Sequence, residues 1–303
     1  MMKRSIRTWA LAGTAWLAST SGGFAAERTA INKRTGLYEL PVSDLRKAAE
    51  RGDRVDLARV AARLGPARLS KALQDPDRRT VLAALDAVPF LNAGILLLES
   101  VFPLLASPDE SIRAHAAAAA AALFAASNAA GLADWEVPGE TIQAACQALG
   151  GLAANETESL PTRLVAMQGL ADAPAACAPS RKPADLLASR TPEIRRAAVV
   201  ALGTNASTTN ILVAAAQDRE ASVAAAAGAK LCERRTKDKP LPADLSLRKL
   251  ALADGALPED VVGMVPCLAA SADPADAKAV EMLRTSGPAS VREAIARLGQ
   301  MAR

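Results

Sequence analysis

The sequence predicts an all-α protein, chiefly from its composition and from the recurrence of short polar junctions. Apolar residues make up 50% of the chain but aromatic residues only 3%, and alanine dominates the apolar set. Alanine has the best intrinsic helix propensity and lets helices approach closely. Sheets favour aromatic residues and runs of β-branched residues, in which this chain is poor. Segments of helical period alternate with short turns, which predicts many short helices.

The turns between the predicted helices resemble one another. Each contains Asp, Ser, Thr or Pro and precedes an alanine-rich helix; they lie at 73–79, 106–113, 189–198, 217–223 and 286–294. Pro is favoured at the first helical position because its missing N–H would have no partner there. Pro76 and Pro108 are 32 positions apart. A period of this length, built from helix pairs, indicates a solenoid.

One of these segments carries a family resemblance. Residues Thr191 to Leu202, with the sequence TPEIRRAAVVAL, resemble the second helix of a HEAT repeat in its short bacterial form. Copies at 107–113 and 288–298 follow it with small departures, and the resemblance covers about 65–290. It implies a right-handed α-solenoid of about six to seven helix pairs that binds proteins along one face. Some relatives are chromophore lyases, but no residue here carries that activity over.

The N-terminus has the pattern of an export signal. Lys3, Arg4 and Arg7 precede a short apolar stretch, and small residues follow. This order is typical of a cleaved signal peptide, and the stretch is shorter than the roughly 20 residues of a membrane span. Cleavage is expected after Ala25, with Ala26 as the alternative. We therefore divide the chain into a signal peptide (1–25), a flexible lead-in (26–42) and a HEAT-like α-solenoid (43–303).

Net charge gives little support for a nucleic-acid partner. The full chain carries +4, and removal of Lys3, Arg4 and Arg7 leaves +1 (4 − 3). The sequence pI of about 9.0 therefore overstates the basicity of the exported protein. A protein partner, no nucleic acid and no integral membrane span are expected, in the periplasm or outside the cell.

The four cysteines predict disulfides. They are Cys146, Cys177, Cys232 and Cys267, and none belongs to a Cys-x-x-Cys pair. An even number in an exported chain favours disulfides. Pairing between sequence neighbours spans 31 and 35 positions, about one helical repeat each, and is preferred among three possibilities. Buried free thiols remain the alternative.

No catalytic, cofactor or metal site is predicted. No sequence pattern proposes a catalytic nucleophile or carboxylate for the single histidine, His115, which is interpreted as a helix-surface or inter-repeat residue. Arg113, Arg195 and Arg292 share one place in the repeat. They predict either a basic stripe for an acidic partner or, preferably, ion pairs between neighbouring repeats, with the turn residues Asp75, Asp109 and Asp218.

Two loops supply candidate partner contacts. Trp135, in the longer loop 127–139, could anchor a partner or cap neighbouring helices. A basic, Pro-bounded loop at 233–243 carries Arg234, Arg235, Lys237 and Lys239, diluted by two acids.

The function expected from these patterns is an exported scaffold that binds a protein partner and is not an enzyme. A structural spacer without a specific partner is the first alternative. An enzyme whose site residues converge only in the folded chain is the second.

Overall fold

Short helices and tight turns make up the protein in a computed structural model, which describes residues 42–91, 94–129, 137–174, 177, 182–202, 208–234 and 245–301. Within these ranges every regular element is a helix, which confirms the all-α prediction. The described residues belong to one unit, 42–303. The predicted signal peptide and nearly all of the lead-in lie outside them, and the first helix begins at Val42.

The helices follow one another at short intervals. In chain order they are α1 (Val42–Glu50), α2 (Arg54–Leu73), α3 (Arg78–Ala87), α4 (Leu98–Val101), α5 (Glu110–Ala129), α6 (Gly139–Ala154), α7 (Leu160–Asp172), α8 (Pro192–Ala201), α9 (Thr209–Ala215), α10 (Ala221–Arg234), α11 (Leu247–Ala251), α12 (Pro258–Ala269), α13 (Pro274–Ser286) and α14 (Ala289–Met301). Turns of 3₁₀-helix cover Val88–Phe90, Gly94–Leu97, Phe102–Ala106 and Pro183–Ala188.

Contacts between helices run mainly between near neighbours. Helices α1, α3, α5, α7, α8, α10, α12 and α14 each pack on the next in that order, and we call this set the helix row. The remaining elements pack against the row: α2 on α1 and α3, the 102–106 turn on α5, α6 on α7, the 183–188 turn on α8, α9 on α10, α11 on α10 and α12, and α13 on α12 and α14. Each inner helix of the row thus packs on a row helix on either side, and α1 and α14 each pack on one.

Aspartates begin several of these helices. The carboxylate of Asp53 accepts hydrogen bonds from the backbone N–H groups of Val55 and Asp56, at 2.9 and 3.1 Å. Asp77 accepts from Arg79 N at the start of α3, and Asp273 from Ala275 N at the start of α13. The first N–H groups of a helix have no partner within it, so these side chains stabilise each start.

A glycine divides α2. The φ angle of Gly65 is +72°, which interrupts the helical geometry just before Pro66. Glycine adopts this left-handed conformation without the steric penalty of a Cβ atom.

Two of the segments that precede helices of the row contain little or no α-helix. Between 94 and 106, the chain forms 3₁₀ turns around the four-residue α4, and 183–188 is a 3₁₀ turn as well. Pro103 and Pro183 lie near the starts of two of these turns, where they lack the N–H that a longer helix would use. Each following helix of the row is nevertheless complete.

Small and medium side chains fill the core. One cluster extends from Leu45 to Ala198, and two smaller clusters, 199–231 and 225–295, continue it. Phe124, Leu69 and Met167 are among the largest fully buried side chains, while alanines fill much of the remaining interface. Because alanine side chains are small, the helices packed through them lie close together and leave little empty space between neighbouring elements.

Arginines connect neighbouring elements, in part as the sequence predicted. Arg195 Nε and Nη2 donate to the two oxygens of Asp218, at 2.8 and 2.9 Å. The predicted partner Asp109 instead accepts from Arg78.

The other predicted positions differ. Arg113 pairs with Glu158 at 2.8 Å and donates to the carbonyl of Ser107. Asp75 accepts from the backbone of Asp77. Within the described residues Arg292 is exposed and has no acidic partner. Arginine side chains therefore do connect neighbouring elements, but some of them pair with an acid other than the turn aspartate that the sequence predicted.

Both predicted cysteine pairs are disulfides. Cys146 is bonded to Cys177 and Cys232 to Cys267, each pair with a Cα–Cα distance of 5.8 Å. The first bond connects α6 to the chain just beyond α7, and the second connects α10 to α12. No described helix combines the length and apolarity that a membrane crossing requires.

Removing the second disulfide should weaken the C-terminal half. The bond closes a loop of 35 positions, so Cys232→Ala with Cys267→Ala is expected to lower the free energy of unfolding by about 3–4 kcal/mol. Denaturant titration of oxidised protein measures this. As a control, alkylation of intact unfolded protein should add nothing, because all four cysteines are bonded. Uptake of reagent without reduction would contradict the pairing.

The Arg195–Asp218 pair should matter more than an exposed pair. Arg195 is 7% exposed at its side chain and Asp218 16%. Arg195→Met retains the aliphatic part of the side chain but leaves the carboxylate of Asp218 unpaired, and should lower the free energy of unfolding by about 3 kcal/mol. Arg297→Met is the matched control, because Arg297 and Glu293 are each 64% exposed and such pairs add little. Equal effects of the two substitutions would refute this assignment.

Candidate functional site

The sequence-predicted contact residues are only partly within the described structure. Trp135, Arg235, Lys237 and Lys239 lie outside the described residues. Arg234 is in the last turn of α10, where its Nη1 and Nη2 donate to the hydroxyls of Thr209 and Thr208, at 3.2 and 2.5 Å. Burial lowers the pKa of Arg234. This guanidinium is therefore held against the start of α9.

A groove crosses the N-terminal part of the helix row. It has a volume of about 290 Å³ and lies over α1, α3 and α5, beside the first residues of α2. The residues that line it are Ala48, Ala49, Gly52, Arg54, Leu57, Leu85, Asp86, Pro89, Phe90, His115, Ala118 and Ala119. Most are apolar and small, and only Arg54, Asp86 and His115 can carry a charge.

An imidazole–carboxylate pair lies on one wall of the groove. Nδ1 of His115, on α5, is 2.6 Å from Oδ1 of Asp86, on α3. A carboxylate only accepts, so Nδ1 carries the proton in this contact. The hydrogen bond to Asp86 raises the pKa of His115 above 6.5, while partial burial and the charge of Arg78 oppose the rise. Protonated His115 and ionised Asp86 thus form an ion pair between two neighbouring helices.

An arginine held by an aromatic ring forms the opposite part of the lining. The guanidinium carbon of Arg54 is 5.8 Å from the centroid of the Phe90 ring. A cation over a ring face is attracted by the ring quadrupole. Because Arg54 is the first residue of α2 and Phe90 ends a 3₁₀ turn after α3, this contact connects two turns at one end of the groove.

Sequence reasoning identified one of the three charged groove residues. His115 was noticed because it is the single histidine, and its side chain on α5 contacts Asp86 on α3. Asp86 was missed because it is 29 positions from His115, inside an apolar stretch. Arg54 and Phe90 follow no repeat pattern. Asp86 and His115 are separated by 29 positions, close to the spacing between the predicted turns. That spacing is the sequence signal that could have suggested their contact.

A second charged cluster lies further along the row. Arg196 on α8 donates to Oδ2 of Asp260 at 2.9 and 3.1 Å and to Glu259 at 3.0 Å. Asp260 is 6% exposed, and its burial raises its pKa against the opposing effect of Arg196. This cluster connects two helices, α8 and α12, that are not consecutive in the row. Over the described ranges no group of His, Cys, Asp and Glu side chains could hold a metal ion.

The His115–Asp86 pair predicts a pH-dependent effect of Asp86→Asn. A raised pKa for His115 means that the pair stabilises the fold fully below pH 6.5 and that this contribution is lost as pH rises through the folded-state value. The substitution should therefore reduce the free energy of unfolding more at about pH 5.5 than at about pH 9. Both side chains are about 40% exposed, so we expect less than about 1 kcal/mol.

Proton NMR of the single histidine provides the direct measurement. The pKa of His115 should fall in the Asp86→Asn protein. An identical titration curve in the two proteins would exclude the pair in solution.

Comparisons with known proteins give no family. No protein-family model and no curated protein matches the chain. Two solved structures, both described as engineered proteins of the Northeast Structural Genomics Consortium, are similar to it at TM-scores of 0.32 and 0.36, with 18% and 19% sequence identity. The matches cover 86% and 84% of this chain and 95% and 66% of the engineered proteins. At these TM-scores neither structure bears on the function of this chain.

Proposed function

We propose that this protein is an exported α-solenoid of HEAT-like helix pairs that holds a protein partner in the periplasm or cell envelope and performs no catalysis. The observation that carries the proposal is the helix row itself, in which each helix packs on the next and a groove remains open across three of them. Repeats that contact mainly their neighbours form extended surfaces, and proteins of this type use those surfaces for binding.

The disulfides support the export part of the proposal. All four cysteines are paired, and disulfides persist mainly in oxidising compartments. One bond connects α10 to α12 and so joins successive helices of the row. A cytoplasmic protein would keep such thiols reduced. The pairing therefore agrees with the N-terminal signal pattern, which is an independent feature of the sequence.

The groove supports the binding part. Its alanine lining leaves concave space on the helix row, and Arg54, Asp86 and His115 supply charged groups there. Trp135, Arg235, Lys237 and Lys239 remain candidate partner contacts from the sequence alone. A structural spacer would have no use for a groove of mixed charge.

Partner capture tests this function. The chain from residue 26 onward, carrying a photo-crosslinking side chain in place of Ala118, should capture one protein from an extract of its own cell envelope. Ala118 is exposed in the groove, and Ala126 is exposed on the same helix outside it. The protein with the crosslinker at position 126 is the matched control.

The captured protein, once identified by mass spectrometry and purified, should bind the unmodified chain saturably. Trp135→Ala and neutralisation of 233–243 then test the two loops. If no crosslinker position captures a partner that binds saturably, the scaffold function is wrong and the structural-spacer alternative takes its place.

A further inference from the structure

Arg54 is positioned to bind an anion. Its guanidinium is exposed at the start of α2, the Phe90 ring lies 5.8 Å from its central carbon, and no described carboxylate forms an ion pair with it. The planar guanidinium presents N–H donors in a geometry that matches a carboxylate. The ring restricts its orientation, so less conformational freedom is lost when a ligand binds.

The charge balance of the groove also favours an anion. Asp86 is paired with His115 when the imidazole is protonated, which leaves the charge of Arg54 without compensation. The α1 part of the lining is Ala48 and Ala49 and adds no charge. Arg78 on α3 acts on His115 from outside the lining and is itself paired with Asp109. The groove therefore has a net positive charge when His115 is protonated.

The size and lining of the groove restrict its ligand. A volume of about 290 Å³ lies just below the roughly 300–1,000 Å³ that is usual for ligand pockets. The methyl groups of Ala49 and Ala118 are accessible at its surface, where larger side chains would fill it. A flat aromatic cofactor has little room here, whereas a side chain and its short neighbours fit.

We infer that the groove binds an acidic side chain of the partner polypeptide, with the carboxylate on Arg54 and the flanking residues on the alanine lining. This inference rests on the proposed function, since it assumes a protein partner. The ion pair of Asp86 with His115 sets the pH dependence. When His115 loses its proton, the charge of Asp86 is no longer balanced and repels the carboxylate of the ligand.

Two short peptides test the inference. They are acetyl-Ala-Ala-Glu-Ala-Ala-amide and the same peptide with Gln in place of Glu, titrated into the full exported chain. Because the chain contains one histidine, the imidazole proton signals of His115 report binding directly. The Glu peptide should shift these signals saturably at about pH 6, and its affinity should fall roughly fivefold at about pH 8.5. The Gln peptide should bind at least about tenfold more weakly.

Matched variants locate the contact. Arg54→Gln should lower the affinity for the Glu peptide at least about tenfold. Arg63→Gln, at an exposed position further along α2, should leave that affinity unchanged. Ala118→Leu should block the groove, and Ala126→Leu should not. Both alanines are exposed helix positions, and leucine is a good helix former, so folding should be retained in each variant.

Three results would overturn the inference. These are equal binding of the Glu and Gln peptides, unchanged affinity in Arg54→Gln, and an acetate shift as strong as that of the Glu peptide, which would identify a site for small carboxylates. Binding of the purified partner to these variants shows whether only the groove inference has failed or the scaffold function as well. If the partner still binds Arg54→Gln and Ala118→Leu with full affinity, it is held elsewhere on the row, and only the groove assignment is wrong.

Discussion

The structure depends on aspartates in the turns that accept hydrogen bonds both from the backbone at the start of the next helix and from an arginine of a neighbouring helix. Asp77 accepts from Arg79 N of α3 and from Arg46 of α1, the latter at 2.7 Å. Asp109 accepts from Ile112 N of α5 and from Arg78 of α3. Asp218 repeats the arrangement with Glu220 N and Arg195. Each such carboxylate therefore stabilises the start of a helix and orients that helix against the preceding one.

These carboxylates remain ionised well into acid. The hydrogen bond from Arg78 is the largest effect on Asp109 and holds its pKa at about 2, below the ordinary 3.8. Arg195 lowers the pKa of Asp218 in the same way. A depressed pKa means that the contribution to stability is present above about pH 4 and is lost as pH falls toward 2. The contacts between neighbouring helices thus persist over the whole physiological range.

The sequence predicts this fold well because its determinants are local or periodic. Alanine content, the Pro and Asp turns and the spacing of one repeat between cysteines each act within about 35 residues, and they predicted the all-α class and both disulfides. The close approach of α10 and α12 is less evident. A Cβ atom on Gly228 would lie 2.9 Å from Met264 Sδ, and one on Gly263 would lie 2.9 Å from Ala229 Cβ.

Unlike the fold class and the disulfides, the groove and the Arg196 cluster could not be predicted from local or periodic features of the sequence. Arg54 meets Phe90, and Arg196 meets Asp260 at a separation of 64 positions, across a helix of the row. Neither pair occupies equivalent places in the repeat, so no period relates them. They depend on how far each helix turns relative to its neighbours, which composition and spacing do not determine.

The distribution of strong contacts along the row bears on how a partner could be held. Between α5 and α12, buried ion pairs and both disulfides connect several elements, including the pair of Arg113 with the 4% exposed Glu158. Around the groove the pairs are exposed: Arg46 with Asp77, and Arg78 with Asp109. Exposed pairs contribute little free energy, whereas breaking a buried pair is costly. Ion pairs and disulfides therefore restrain the helices around the groove less than the middle of the row, and the groove helices are held together mainly by their apolar core.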